Sequence, residues 1–509
     1  MTNAATFFVD RHVMEGRGDK TAFREVGTGR TLSYGELADL SGRAAAALMG
    51  HGVQREERMA MLVLDQIEFP ILFWGALKAG VVAVPLNTLL ATQVYDVILR
   101  DSRATTLVVS EALLDVVTPI LDDNPYLRRI IVIGGEGYKN TISYVDFMAC
   151  MDTPAGTFEA SADETAFWLY SSGSTGQPKG VHHVHSAMQA TADTYGAQVL
   201  GIREDDVVFS AAKFFFAYGL GNSMTFPMSV GATSLIFSGR PTPDGVVDIL
   251  AQERPTIFCG VPTLYAAMAA YMEQHGAPNA PLRLSISAGE ALPEDVGRRW
   301  LKLTGVDILD GVGSTEMLHI FLSNAPGNVV YGTSGVAVPG YDVRLVDENG
   351  RDVGIDTVGE LLVNGASAAG GYWNKRDKSR DTFEGVWTRT GDKYEKRADG
   401  RFVYCGRTDD MFKVSGIWVS PFEVEQAISS HAAVLECAVV AARDEDGLEK
   451  PKAYVVVQGE RPDGLEDLLR EHVKDRIGKW KYPRWIECVE SLPKTATGKI
   501  QRFKLREDV

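Results

Sequence analysis

The sequence predicts an α/β protein with a large multi-sheet N-terminal domain and a small α+β C-terminal domain, and three observations carry that expectation. At 509 residues the chain exceeds what one hydrophobic core supports. Apolar runs of strand length alternate with helical patterns through its first four-fifths, the pattern of largely parallel sheets. From about residue 409 the texture changes to a compact unit of about a hundred residues, enough for a small α+β domain.

The first helix is the most legible element. Ser33 and Glu36 form an S-x-x-E capping box, Leu37, Leu40, Ala44 and Leu48 recur at helical spacing, and Gly50 is the expected stop. Short apolar runs at 59–64, 81–84, 106–109, 130–133, 166–169, 207–210 and 235–237 read as buried strands, enough for more than one sheet. In the C-terminal part Ser420, Pro421 and Glu423 open a helix with Val424, Ala427 and Ile428 on one face, followed by strands at 434–440 and 453–457. The boundary falls in the polar stretch Arg407-Thr408-Asp409-Asp410, giving units of 1–408 and 409–509.

The composition, 45% hydrophobic and 23% charged, is that of a globular protein without low-complexity tracts. A formal charge of −16 repels phosphate backbones and anionic lipid, so neither nucleic acid nor membrane is expected as a partner. The first residues lack the apolar run of a secretory signal, and no apolar stretch approaches a membrane span. The five cysteines are scattered and unpaired in sequence, which fits thiols kept reduced in a cytoplasm. The run Val181-His182-His183-Val184-His185 invites a metal reading, but no carboxylate or Cys lies near at ligand spacing, so buried histidines are expected.

The most informative stretch is Tyr170-Ser171-Ser172-Gly173-Ser174-Thr175-Gly176-Gln177-Pro178-Lys179-Gly180, which follows a strand-like run. Its glycines let backbone N–H groups turn toward an anion, its hydroxyls add donors and Lys179 adds charge, so the loop suits phosphates. It is not a Walker A loop, because Lys179 sits between Pro178 and Gly180.

The loop resembles the signature of the adenylate-forming superfamily of acyl-CoA synthetases, luciferases and peptide-synthetase adenylation domains. Further segments recur in that family's order: Ala288-Gly289-Glu290-Ala291-Leu292-Pro293, Asp310-Gly311-Val312-Gly313-Ser314-Thr315-Glu316, Thr390-Gly391-Asp392, Gly406-Arg407-Thr408-Asp409 and Pro493-Lys494-Thr495-Ala496-Thr497-Gly498-Lys499. Each is weak alone; the ordered set is specific.

The resemblance implies roles residue by residue. Ser171 through Gly176 and Lys179 would cradle the pyrophosphate part of ATP, Thr315 would bond the α-phosphate, and Glu316 with Thr175 would hold Mg²⁺. Gly289, Glu290, Asp310, Gly311, Val312, Gly313 and Ser314 would face the adenosine, with Val312 standing where many members place a stacking aromatic. Asp392 would accept from the ribose hydroxyls, with Arg407 beside it. Lys499 would be the adenylation lysine, between substrate carboxylate and α-phosphate. The C-terminal domain would then rotate about the Asp409 hinge, withdrawing Lys499 and bringing the Lys413, Ser415 and Gly416 face to coenzyme A.

For the acid, the family's pocket corresponds to Phe214 through Gly221, Ser287 to Gly289 and Met317 to Ile320. An aromatic wall with small neighbours favours a flat ring over an alkyl chain. Phe215, Ala217, Tyr218, Gly219, Ala288, Leu318, His319 and Ile320 are the expected lining, with about half of Phe214 to Phe216 expected to be core instead, as in a strand that buries alternate residues. His319 and Tyr218 are the polar groups expected to meet a ring substituent or the carboxylate, and Leu318 is expected to crowd a polar para group. These segments and Trp480-Lys481-Tyr482-Pro483-Arg484 look most like benzoate–CoA and 4-hydroxybenzoate–CoA ligases, and benzoate is ranked first. The expected substrates are thus a small aromatic acid, ATP and CoA, and a homodimer stays open as the assembly. The rivals are 4-hydroxybenzoate as main substrate, adenylation for a carrier protein, a luciferase-like oxygenase, or a non-catalytic acyl or nucleotide sensor. No carrier domain is expected after Val509, and intact Lys499, Glu316 and loop argue against the sensor.

Overall fold

The computed structural model describes residues 3–135, 139–151, 153–172, 177–408, 410–414, 417–445, 448–478, 481–494 and 500–507. Two large sheets and one smaller sheet fill the N-terminal part. The first large sheet runs in the order 371–372, 178–184, 165–172, 82–85, 58–62, 106–110, 129–133, 142–143; its middle is parallel and its hairpin at 165–184 antiparallel. The second runs 336–337, 320–323, 308–313, 284–287, 257–260, 207–210, 233–236, 21–25, 31–33, with a parallel centre and antiparallel edges. The strands read from sequence are all present, most within two residues of the expected bounds, while those at 165–172, 434–443 and 449–457 run three or four residues longer at one end.

Helix Tyr34–Gly50 starts on the expected box: Ser33 Oγ accepts from Glu36 N at 3.1 Å and Glu36 Oε2 accepts from Ser33 N at 2.8 Å. It runs through Gly50, and the chain turns instead at Gly52, whose φ of +73° suits a residue without Cβ. Beside it, every residue of helix Glu68–Lys78 is buried, which explains its unbroken apolar run. The two helices cross closely at Gly75, where a Cβ would stand 2.6 Å from the Ala44 Cβ. One core joins them to both large sheets, with Trp74, Phe73, Phe167 and Phe214 within it.

The third sheet, built on Tyr341–Val346, Val358–Gly365, Trp387–Lys396 and Phe402–Arg407, is wholly antiparallel. This departs from the expectation of largely parallel sheets; the cause is visible in the strict in–out alternation of burial along Trp387–Lys396. A separate C-terminal domain follows. Its core of Val424, Ile428, Val439, Val455, Leu469 and Val473 draws on no residue before Phe412. Its last helix, Arg502–Glu507, is pinned by Arg502 to Glu425 at 2.7 Å, and both Arg502 and Arg506 pair with Asp410.

The histidine run is structural. Alternation along Pro178–Val184 stacks His182 on Trp168 at 4.5 Å and His183 on Phe167 at 5.0 Å, while His185 accepts from Ala4 N. Among the described residues no cluster of His, Cys, Asp or Glu forms a metal site, and no helix is long and apolar enough to cross a membrane.

Candidate active site

The Ser/Gly-rich loop joins two antiparallel strands, Thr165–Ser172 and Pro178–Val184, with Ser171 opposite Lys179. A strand–loop–strand hairpin differs from the strand–loop–helix of a Walker A site, as the position of Lys179 predicts. Gly173, Ser174, Thr175 and Gly176 lie outside the described residues, as does the Ser172 side chain. Lys179 is in view: its Nζ lies 4.6 Å from the centre of the Tyr372 ring. Burial draws its ammonium below the ordinary value, with the Glu316 carboxylate opposing that shift.

Glu316 stands in a tight turn between strands Ile308–Gly313 and Ile320–Ser323. The chain folds back so closely that a Cβ on Gly313 would lie 2.4 Å from the His319 carbonyl. Ser314 Oγ accepts from Met317 N, Leu318 N donates to the Thr315 carbonyl, and Leu318 adopts a left-handed φ of 65°. Glu316 Oε1 accepts from the Tyr372 hydroxyl at 2.8 Å, and its carbonyl accepts from Ala369 N at 2.8 Å. Gly370 N and Trp373 N donate to the carbonyls of His182 and Gly180, so the segment around Tyr372 ties the hairpin to the Glu316 turn. Sequence reasoning missed Tyr372; it sits in an apolar Gly-Gly-Tyr-Trp run with no charge to draw attention.

Asp392 and Arg407 are opposite each other on neighbouring strands, joined at 2.9 Å, and Arg407 also donates to the Thr390 carbonyl at 3.1 Å. The positive φ of Gly391, 72°, falls within strand Trp387–Lys396 where its pairing with the neighbouring strand shifts register, just before Asp392. Arg407 lies close enough for its charge to act on both Lys179 and Tyr372, so these groups are neighbours.

Asp310 and Ser287 are paired at the carboxyl ends of adjacent parallel strands, where open α/β sheets bind ligands. Asp310 is buried, which pushes its carboxyl well above the ordinary range, and Leu292 N donates to its Oδ2. Gly289 turns at φ 97°, Glu290 and Val312 are half-buried, and Val312 packs on the main core. A Cβ on Gly311 would meet the Leu322 carbonyl at 2.9 Å.

The acyl segment corrects two expectations. Phe214 to Phe216 are not strand: they form a turn before helix Ala217–Leu220, and Phe214 is core, stacked 4.6 Å from Phe69. Tyr218 does not offer its hydroxyl to a ligand, because it is shared between the carbonyls of Gly260 at 3.1 Å and Ile286 at 3.0 Å. Gly219 is required where it stands, since a Cβ would lie 2.0 Å from the Lys213 carbonyl. Phe215, Ala288, Leu318, His319 and Ile320 are buried and Ala217 half-buried. His319 has Nε2 3.3 Å from the Tyr218 carbonyl, and burial pushes its imidazole down to about 3, so it is neutral.

In the C-terminal domain the Lys413 backbone pairs with Trp418, while the Lys413 side chain, Ser415, Gly416, Asp409, Trp480 and Lys499 lie outside the described residues. Lys494 and Ile500, on either side of Lys499 in sequence, form an antiparallel bridge.

The donor set suits magnesium. Glu316 offers a carboxylate fixed at one oxygen by Tyr372, and a lone protein carboxylate completed by phosphate oxygens and water is the usual arrangement for that ion.

Comparison with known proteins gives consistent matches. The AMP-binding enzyme profile matches residues 10–373, and the AMP-binding enzyme C-terminal domain profile matches 423–499. A 4-hydroxybenzoate–CoA/benzoate–CoA ligase of Rhodopseudomonas palustris is 54% identical over 99% of this chain and 94% of its own. The crystal structure of the anthranilate CoA ligase AuaEII with anthranoyl-AMP superposes with a TM-score of 0.95 at 40% identity, over 99% of this chain and 97% of that one. A benzoate CoA ligase from Burkholderia xenovorans superposes at 0.91 with 46% identity, over 99% and 100%.

Proposed function

The chain belongs to the AMP-binding enzyme family, and from that premise we propose an ATP-dependent aryl–CoA ligase that converts benzoate, or a hydroxybenzoate, to its CoA thioester through an acyl-adenylate. The observation that carries this reading is the convergence of Lys179, Tyr372, Glu316 and the Asp392–Arg407 pair beside an enclosed aromatic segment. Relatives with 46–54% identity over the full chain that carry benzoate in their names support the acid.

In the first half-reaction the substrate carboxylate oxygen bonds the α-phosphorus as pyrophosphate leaves. Two anions approach each other, so fixed cations offset the charge: Lys179 on the hairpin and Lys499 on the C-terminal domain. Glu316, oriented by Tyr372, would with Thr175 hold Mg²⁺, which when bound would supply charge neutralisation for the leaving pyrophosphate. Thr315 bonds the α-phosphate, Asp392 takes the ribose, and Gly289 through Leu292 with Asp310 to Gly313 hold the base, Val312 contributing apolar contact. In the second half-reaction the CoA sulfur bonds the acyl carbon, AMP leaves and the thiol proton passes to solvent. A rotation near Asp409 exchanges Lys499 for the Lys413 to Gly416 face, with the domains meeting at 408–411. The compartment proposed is the cytoplasm, in keeping with five free cysteines.

The test is ATP- and CoA-dependent AMP release across benzoate, hydroxybenzoates, aminobenzoate, cyclohexanecarboxylate and medium-chain fatty acids, with the thioester identified by mass. Aryl-CoA from benzoate is the expected product. Activity confined to aliphatic acids would overturn the aromatic pocket, and AMP without thioester would replace CoA by another acceptor.

A further inference from the structure

Around the proposed acyl segment three buried side chains carry polar atoms without a hydrogen-bond partner among the described residues. Asn222 is 1% exposed, yet neither Oδ1 nor Nδ2 has a hydrogen-bond partner among the described residues. The same holds for Nδ1 of His319, and the hydroxyl of Tyr195 has no partner at hydrogen-bond geometry although the Ser323 hydroxyl lies near enough to act on it. Native interiors leave few such atoms, and those they leave call for a ligand or a water.

Tyr195 and His319 lie together, and Asn222 follows Gly221, which packs on the His319 ring. The His319 ring is 5.4 Å from that of Tyr195, 5.7 Å from Tyr218 and 4.5 Å from Phe226, and a Cβ on Gly221 would stand 2.4 Å from its Cδ2. Tyr218, Asn222 and Phe226 follow one another four residues apart along a helical stretch, so Asn222 shares the face on which His319 packs. That stretch widens at Gly221–Thr225, just before Pro227, which lacks the N–H a regular turn would use. Of the polar neighbours, the Ser323 hydroxyl, which acts on Tyr195, donates to the Asn324 carbonyl at 2.7 Å, and the Tyr218 hydroxyl serves Gly260 and Ile286.

The chemistry of the set defines its ligand. His319 Nε2 faces a carbonyl and so carries the ring proton, leaving Nδ1 an acceptor. Asn222 Oδ1 is a second acceptor, while Asn222 Nδ2 and the Tyr195 hydroxyl are donors. A group that both donates and accepts satisfies them; a carboxylate or an alkyl group does not. We propose that Asn222, Tyr195 and His319 form a polar seat in the acyl pocket that takes a ring hydroxyl of the substrate, with a water molecule in its place when the ring is unsubstituted. This rests on the aryl–CoA ligase reading above and names the residues that sort hydroxybenzoates from benzoate. A purely apolar wall would reject the hydroxyl for want of partners; this one gives the hydroxyl partners and leaves a methyl group none.

The test compares kcat/KM for benzoate, 3-hydroxybenzoate, 4-hydroxybenzoate and 4-methylbenzoate in wild type, Tyr195→Phe and Asn222→Leu. In each variant the efficiency for the better hydroxybenzoate relative to benzoate is expected to fall about tenfold, and methyl to gain on hydroxyl. Ratios unchanged for both hydroxy isomers in Tyr195→Phe overturn the seat, and that variant, which removes one oxygen, decides the matter if Asn222→Leu fails to fold. Wild-type turnover of benzoate with neither hydroxybenzoate overturns the seat and spares the ligase reading. Inactivity on every aromatic acid overturns both.

Discussion

The Tyr372 hydroxyl donates to the Glu316 carboxylate at 2.8 Å while the Lys179 ammonium lies over the same ring at 4.6 Å. One tyrosine therefore touches the proposed metal ligand and the hairpin lysine together. Tyr372→Phe keeps the ring and the cation contact and removes only the orienting O–H. The Mg²⁺ concentration for half-maximal AMP release is expected to rise about tenfold, with weaker Mn²⁺ binding by spin resonance in the presence of ATP. An unaltered metal requirement would reject the orienting role.

Lys499→Ala is expected to reduce adenylate formation nearly to background and to leave thioester formation from preformed acyl-adenylate in place, since only the first step brings two anions together. Rapid-quench measurement of each half-reaction checks it; equal loss in both steps would remove Lys499 from its assigned role.

Leu318 combines a left-handed φ of 65° with burial. A side chain in that conformation costs about 1–2 kcal/mol, which glycine escapes and alanine does not. Both truncations open a cavity, so both lower the melting temperature, but Leu318→Gly is expected to melt no lower than Leu318→Ala, against the usual order of the two residues. Leu318→Gly should also raise use of 4-hydroxybenzoate relative to benzoate, and an unchanged ratio would turn Leu318 away from the ring.

Asp65 accepts from Phe214 N with both oxygens at 3.3 Å, and burial, opposed by Lys213 and that amide, pushes its carboxyl up to about 6. Because the folded value exceeds the ordinary 3.8, the native state binds the extra proton between pH 3.8 and 6, and stability from this group falls as pH rises through that window, by on the order of 3 kcal/mol in total. Neutral His183 and His319, both held down to about 3, work in the opposite sense, costing stability as pH drops below 6.5. The difference between Asp65→Asn and wild type cancels the histidines. It is expected to shift in favour of the variant from pH 4 to 6 and then level; a flat difference in melting temperature would contradict this.

The elements legible in the sequence were those fixed by local chemistry. Ser33 and Glu36 sit three apart before a helical stripe, and the strand at 207–210 is bounded by its own apolar run, so neither needs the rest of the chain to be read. Glu316, Asp392 and Arg407 were singled out through the order of their motifs, and the structure brings them near Lys179 and Tyr372, while Gly173 to Gly176 lie outside the described residues. What escaped depends on long-range packing. Phe214 reads as strand until Phe69 is known to cover it, and the Tyr218 hydroxyl reads as free until the carbonyls of Gly260 and Ile286 arrive from distant strands. Asn222 had a faint signal, an amide in an otherwise apolar and small-residue segment, whose meaning appears only when it is found buried.

The last helix holds Asp410 with two arginines and the Glu425 helix with one of them. Residue 410 and the chain end, ninety-odd positions apart in sequence, are thus clasped like the two arms of a crank. A load applied at residue 410 therefore passes through these ion pairs to the last helix, so the first and last described segments of the C-terminal unit are held as one piece.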